Sequence, residues 1–239
     1  MPSLAGSVVL VTGANGGIGS AFVAEALARG AAKVYATART PRPADDGRVV
    51  PLALDVTDPA SIDAAVHAAP DVTVLINNAG TLPPTASVLD LAADDLRATM
   101  ETNFFGPVLL AKAFAPVLTK SSTSVLIDMH SVASWYAFGG AYSASKAALW
   151  SATNSLRLEL APRGTHVVGV HVGYVDTAMA AHADGPKMLP HDLVSSVLDA
   201  VETGAFEVVA DDLTASVKAA LSAPIETLYP ELAATGGAS

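Results

Sequence analysis

Val8-Val9-Leu10-Val11-Thr12-Gly13-Ala14-Asn15-Gly16-Gly17-Ile18-Gly19 decides the architecture. Four apolar residues in a row read as a strand covered on both faces, because a strand with one wet face alternates. A glycine-rich turn follows, and then a helical pattern over residues 17–29. Gly13, Gly17 and Gly19 permit a tight turn and a close backbone approach to a pyrophosphate. The helix N-terminus adds unpaired N–H donors and a partial positive charge. Asn15 and Ile18 belong to the same candidate dinucleotide loop.

Outward from this stretch the theme repeats. Strand-like apolar runs lie at residues 8–11, 34–37, 49–54, 72–76, 124–129, 166–171 and 207–210. Helical stretches fall between them at 17–29, 59–68, 99–118, 141–160 and 191–203. This β-α-β order predicts an α/β fold, a single-domain doubly wound parallel sheet of Rossmann type with helices on both faces. One unit is expected over residues 1–239, with 41–48 a surface loop and 231–239 a flexible tail, frayed from 233 onward.

Composition narrows the function classes. A chain of 239 residues with 51% hydrophobic content can bury a sizeable core. Thirteen basic against 23 acidic residues give a net charge of −10, which disfavours nucleic acid or an anionic membrane as partner. There is no cysteine, and the six histidines are scattered, so no metal site is expected. The N-terminus has no basic segment before its apolar stretch, and no apolar run reaches the ~20 residues that span a bilayer. A cytoplasmic protein is expected.

The ends of the later strands refine the cofactor. The second runs Val34-Tyr35-Ala36-Thr37-Ala38-Arg39, with no acid between Lys33 and Arg42. NAD-binding folds tend to place a carboxylate here for the ribose 2′-hydroxyl, whereas an arginine suits a 2′-phosphate. Arg39 therefore points to NADP(H) over NAD(H). Asp55-Val56 closes the third strand, where Asp55 either accepts from an adenine amino group, caps the helix starting near Pro59, or does both. Ile76-Asn77-Asn78-Ala79-Gly80 closes the fourth, with two amides that need partners and can line the cofactor cleft.

Tyr142-Ser143-Ala144-Ser145-Lys146 puts a phenol and an ammonium one helical turn apart on one face. A fixed positive charge lowers a phenol's pKa, which would make Tyr142 a general acid/base for carbonyl and alcohol chemistry near neutral pH.

With these segments in order, the chain resembles the short-chain dehydrogenase/reductase family, in the branch with Thr-Gly-x-x-x-Gly-x-Gly and Tyr-x-x-x-Lys motifs. The resemblance runs from Val8 to about Thr214, through Thr12 to Gly19, Asp55-Val56, Asn77 to Gly80, Asn103, Ser131, Tyr142/Lys146 and Gly173 to Thr177. It implies that Tyr142 gives a proton to the substrate oxygen and that Ser131 holds that oxygen. Lys146 would bind the nicotinamide ribose and lower the Tyr142 pKa, and Asn103 would hold a water linking Lys146 to solvent. Asn78, Ala79 and Gly80 would line the cofactor cleft, and Gly173, Val175 and Thr177 would hold the nicotinamide carboxamide. It also implies a homo-oligomer, a tetramer or dimer, packed through the helices of Asn103 and Tyr142.

Two departures stand out. Val172 occupies a usual proline position, so the turn after it is expected to be less rigid. The interval from Ser131 to Tyr142 is 11 residues, two fewer than common, and it carries Trp135, Tyr136 and Phe138. These aromatics either wall an apolar substrate pocket, with Ser131, Tyr174 and Met179, or pack into core or a subunit contact. Residues 177–190 read as a lid whose one cation is Lys187. The expected substrate is thus a neutral, mostly apolar carbonyl compound or secondary alcohol, reacting as carbonyl reductase or alcohol dehydrogenase. The alternatives are a 3-oxoacyl thioester reductase and, from another class, a non-catalytic NADP-sensing regulator. His171 and His182 read as structural.

Overall fold

Each of the seven apolar runs forms a strand: β1 (Val8–Thr12), β2 (Lys33–Ala38), β3 (Val49–Ala53), β4 (Val74–Asn77), β5 (Val125–Met129), β6 (His166–His171) and β7 (Glu207–Val209). The computed structural model describes residues 2–232, so 233–239 of the expected tail lie outside the described residues; Glu231 and Leu232 are helical. All strands pair in parallel in the order β3-β2-β1-β4-β5-β6-β7. The order reverses between β1 and β4, so the crevice above their carboxyl ends is where a doubly wound sheet takes its ligand.

Helices α1 (Gly17–Ala28) and α6 (Pro190–Thr203) cover one face, and α2 (Pro59–Ala68), α4 (Gly106–Leu118) and α5 (Ala141–Leu160) the other. Side-chain alternation splits each strand between two cores. Val9 and Val11 join Phe22, Leu193 and Val197 in one, and Leu10 joins Ile62, Leu110 and Phe114 in the other. Each fully buried Phe or Leu contributes about 1.5–3 kcal/mol. Pro51 sits in edge strand β3, where a missing N–H is tolerated.

The helix expected over 99–118 is three pieces: α3 (Ala93–Met100), a π-helical turn (Glu101–Phe105) and α4. The cause is legible at Pro107, which offers no N–H to the carbonyl of Asn103 one turn earlier. The short helices α7 (Asp212–Ala219) and α8 (Ile225–Leu228) extend the expected set.

Candidate active site

The glycine-rich loop leaves β1 and opens α1 with no side-chain cap and no acidic residue in its first turn. By contrast, carboxylates cap α2 and α7. The free N–H groups at the start of α1 therefore face the crevice unanswered, which fits a phosphate. Gly19 is obligatory for packing: a Cβ there would lie 2.2 Å from the Gly13 carbonyl oxygen. Gly19 itself is buried beneath the loop and does not line the cleft.

Thr12 and Asn78 lock this loop to the end of β4. Thr12 Oγ1 accepts from the backbone N–H of Asn78 and of Ala79, each at 2.9 Å, and Asn78 Nδ2 donates to the Thr12 carbonyl at 2.8 Å. Asn77 Nδ2 likewise donates to Pro107 O and to Asp128, while its Oδ1 is buried without a partner.

Two adjoining cavities run along the strand ends. One, of about 790 Å³, is bordered by Gly13, Asn15, Arg39, Asp55 and Val56. Arg39 is exposed there. The Asp55 carboxylate accepts from the Thr57 N–H at 2.9 Å and from the Thr57 hydroxyl at 2.7 Å, and these bonds, with Arg39 nearby, hold its pKa below the usual value. Asp55 is not the cap of α2. That position belongs to Asp58, whose carboxylate accepts from Ala60 N–H at 2.9 Å and lies one residue before the helix. The sequence assigned Arg42 no role; its guanidinium donates to Asn15 O at 2.7 Å and fastens the segment after β2 to the glycine loop.

The other cavity, of about 740 Å³, brings together Gly17, Ile18, Asn78, Ala79, Gly80, Ser131, Tyr142, Lys146, Gly173, Val175 and Thr177 from five parts of the chain. Phe138, Tyr174 and Met179 also line this cavity. Trp135 and Tyr136 do not. Trp135 is 7% exposed and stacks on His171 at 3.9 Å, and Tyr136 stacks on Tyr229 at 5.1 Å. The short interval to Tyr142 folds as a 3-10 turn that carries these two rings away from the cleft against α7 and α8. The wall instead gains Leu82, Pro83, Pro84 and Ala86, which the sequence did not single out, and His182, which it read as structural. The Leu82-Pro83-Pro84 run, two residues after Gly80, was the available signal.

Ser131 sits just past the end of β5 and borders the cleft. Its hydroxyl accepts from Ala133 N–H at 3.2 Å, starting the 3-10 turn. Lys146 donates from Nζ to the Met129 carbonyl at 2.7 Å and lies 5.7 Å from the centre of the Tyr142 ring. Burial pushes the Lys146 pKa down to about 8, with the Asp128 charge opposing that fall. Tyr142 departs from the expectation: burial pushes its pKa up, and the Ser131 hydroxyl pulls it partly back. The ammonium, held on a backbone carbonyl, does not lower it.

Asn103 is fully buried in the π turn. Its Oδ1 accepts from Thr81 N–H at 2.8 Å, and its Nδ2 donates to Thr81 O at 2.9 Å and Ser145 Oγ at 3.1 Å. The side-chain amide is therefore spent on anchoring the Thr81 segment. The turn after β6, despite Val172 in place of proline, is pinned: Gly173 N–H donates to Asp211 Oδ2 at 2.6 Å. The lid is tied back through Asp176 N–H to Met188 O and Met188 N–H to Tyr174 O, each at 2.9 Å. No helix among the described residues is long and apolar enough to cross a membrane.

Comparison with known proteins converges on one family. A family model described as short chain dehydrogenase matches residues 7–187. An NADPH-dependent 1-acyldihydroxyacetone phosphate reductase of Schizosaccharomyces pombe is 37% identical over 180 residues, 71% of this chain; the chain spans 60% of that relative's length. An NADP-dependent 3-hydroxy acid dehydrogenase of the same yeast is 29% identical over 242 residues, covering 89% of this chain and 93% of the relative. A solved short chain dehydrogenase from Burkholderia cenocepacia J2315, in complex with NADP, superposes with a TM-score of 0.89 at 35% identity, covering 96% of this chain and 98% of that one.

Proposed function

The chain belongs to the short-chain dehydrogenase family, and from that membership we propose that it is an NADP(H)-dependent oxidoreductase acting on a neutral, mostly apolar ketone, aldehyde or secondary alcohol. The observation that carries the reading is the meeting of Ser131, Tyr142 and Lys146 in the apolar cleft beside an uncapped helix N-terminus. NADP(H), named for both yeast relatives and held by the Burkholderia structure, supplies or accepts the hydride when bound.

The glycine loop and the start of α1 take the pyrophosphate, Arg39 the 2′-phosphate, and Asp55 and Val56 border the adenine. Val175 and Thr177 take the nicotinamide carboxamide, with Gly173 shaping their turn. Ser131 holds the substrate oxygen by a hydrogen bond, and Tyr142 gives it a proton in the reductive direction or removes one in the oxidative direction. Lys146 leaves the Met129 carbonyl for the ribose hydroxyls, and its approach lowers the Tyr142 pKa that burial had raised. Asn103 serves the relay through its main-chain carbonyl, which Pro107 leaves without an α-helical donor, because its side chain is spent.

The substrate class follows from the wall. Leu82, Pro83, Phe138, Tyr174 and Met179 surround the proposed reacting centre, and Lys146 is the one cation among the described residues that line that cavity. Lys187 lies outside the lining, so a carboxylate or phosphate would find no fixed partner. We place the protein in the cytoplasm as a homo-oligomer; exposed Phe105, Leu109 and Leu158 on the helices of Asn103 and Tyr142 support association.

The test is NADPH consumption across aliphatic, aryl and cyclic ketones, aldehydes and an acetoacetyl thioester, with Tyr142→Phe as control. Turnover of neutral carbonyls that falls at least ~100-fold in the variant is the expected result, the scale of general acid–base catalysis. Preference for the thioester would move the assignment to 3-oxoacyl reduction. Tight NADPH binding without turnover of anything would overturn the enzymatic reading in favour of a sensor.

A further inference from the structure

Asp128 lies on central strand β5 with no solvent exposure. Its Oδ1 accepts from Asn77 Nδ2 at 2.8 Å, across the β4–β5 register pair, and its Oδ2 accepts from Thr153 Oγ1 at 2.7 Å. Neither donor requires a charge. An asparagine would accept from Asn77 equally well and would donate to Thr153, whose own proton would then serve the Leu149 carbonyl 2.9 Å away. What the carboxylate adds over that arrangement is its negative charge, which is costly to bury without a cation.

The cations are on α5. Lys146, Thr153 and Arg157 share the stripe of that helix that faces the sheet, at spacings of seven and four residues. Lys146 Nζ ends on the carbonyl of Met129, the residue after Asp128. Arg157 donates to Val167 O and Phe206 O from the opposite side. The Asp128 charge acts on both cations and opposes the effect of burial on each. The remaining ionisable groups facing this region are His130 just after β5, His171 on β6 and Tyr142 on α5. Burial and the nearby cations keep both histidines neutral, and burial keeps the phenol protonated.

We propose that Asp128 is a positioning residue that holds Lys146 in its ammonium form at the pH where the reaction runs. Its part in turnover rests on the reductase reading above, in which Lys146 works as a cation; its effect on the Lys146 proton does not. Asp128 lines neither of the two cavities. It acts through Lys146, from behind the strand end; burial raises its own pKa, and the hydrogen bonds from Asn77 and Thr153, with the charges of Lys146 and Arg157, oppose that rise.

Asp128→Asn is the discriminating variant, because it preserves the hydrogen bonds and removes the charge. Two readouts apply: the Lys146 titration, followed by NMR of lysine-labelled protein and assigned with Lys146→Met, and the pH profile of kcat/KM. Expected is a Lys146 midpoint lower by about one pH unit, the scale on which an adjacent opposite charge moves a pKa, with the alkaline limb of kcat/KM moving equally. Thr153→Val, which strips one donor from the carboxylate, shifts both in the same direction by less, and it carries the test if Asp128→Asn does not fold. A folded variant whose Lys146 midpoint stays in place, with activity reduced equally at every pH, overturns the proposal and leaves Asp128 a purely structural residue. Wild-type protein that turns over no carbonyl would defeat the reductase reading alone; the NMR midpoint would still decide this inference.

Discussion

At the scale of the residue, Lys146 opposes the fold that holds it. A shift from 10.5 to about 8, at about 1.4 kcal/mol per unit, corresponds to a destabilisation of about 3 kcal/mol at neutral pH. The sign follows from proton counting: between those two values the unfolded chain binds the proton and the folded chain does not, so stability rises with pH there. Lys146→Met should raise Tm at pH 7 while abolishing turnover, and its advantage over wild type should shrink as pH rises from 8 towards 10.5. Denaturant titrations at several pH values check this. Arg39→Gln should raise KM for NADPH by about 10-fold or more and leave NADH nearly unchanged, since a charge-assisted phosphate contact is worth about 1.5–3 kcal/mol; equal changes would remove Arg39 from the phosphate site. The spacing of Tyr142 and Lys146 foretold their shared face. It could not foretell that the ammonium rests on the Met129 carbonyl, or that burial raises the phenol, because both depend on strand β5, which arrives from elsewhere in the chain.

Elements rather than residues hold the mouth of the cleft. Asp211 does two tasks with one carboxylate: Oδ1 caps α7 by accepting from Thr214 N–H at 2.8 Å, and Oδ2 accepts from Gly173 N–H. Asp211→Ala should therefore cost about 1–2 kcal/mol of stability as a lost cap and also weaken NADPH binding. A stability loss with unchanged cofactor affinity would separate the cap from the turn. Gly140, with φ of 55°, begins α5 against the segment at Ala86, and a Cβ would lie 2.2 Å from the Ala86 carbonyl. Gly140→Ala should destabilise by at least ~1 kcal/mol and raise KM for the carbonyl compound more than for NADPH, because the displaced segment walls that end of the cleft. Strand existence was readable throughout, since buried parallel strands write themselves as apolar runs. The role of Asp211 was not, because α7 is short and its cap works on a turn far away in sequence. Asp55 and Asp58 show the same limit on a smaller scale: either could have capped α2, and only the chain's path selects Asp58.

For the whole molecule, the histidines buried beside the sheet set an acid boundary. His130 and His171 are fully buried or nearly so and stacked at 4.7 Å, the first held well below its ordinary pKa and the second near 3. Both bind protons more readily when unfolded, so stability is complete above pH ~6.5 and falls below it, by up to about 1.4 kcal/mol per pH unit for each. His171→Phe, which preserves the stack on Trp135, should flatten that acid slope in urea titrations at pH 4–7; an unchanged slope would assign acid sensitivity elsewhere. Light scattering checks the assembly, a monomer at working concentration being the outcome that overturns the proposed homo-oligomer. The π turn has a further consequence at this scale. It holds one residue more than an α-helical turn would, and one residue is about 100° of rotation. The segment therefore works as a phase shim between α3 and α4. Removing one residue from Glu101–Phe105 would leave a longer, more regular helix, yet turn every side chain of α3 by more than a quarter circle relative to the sheet. The irregular helix is thus what lets one polypeptide satisfy the sheet and the cleft at once, and a comparison of helix content alone would score the damaged protein as the better-formed one.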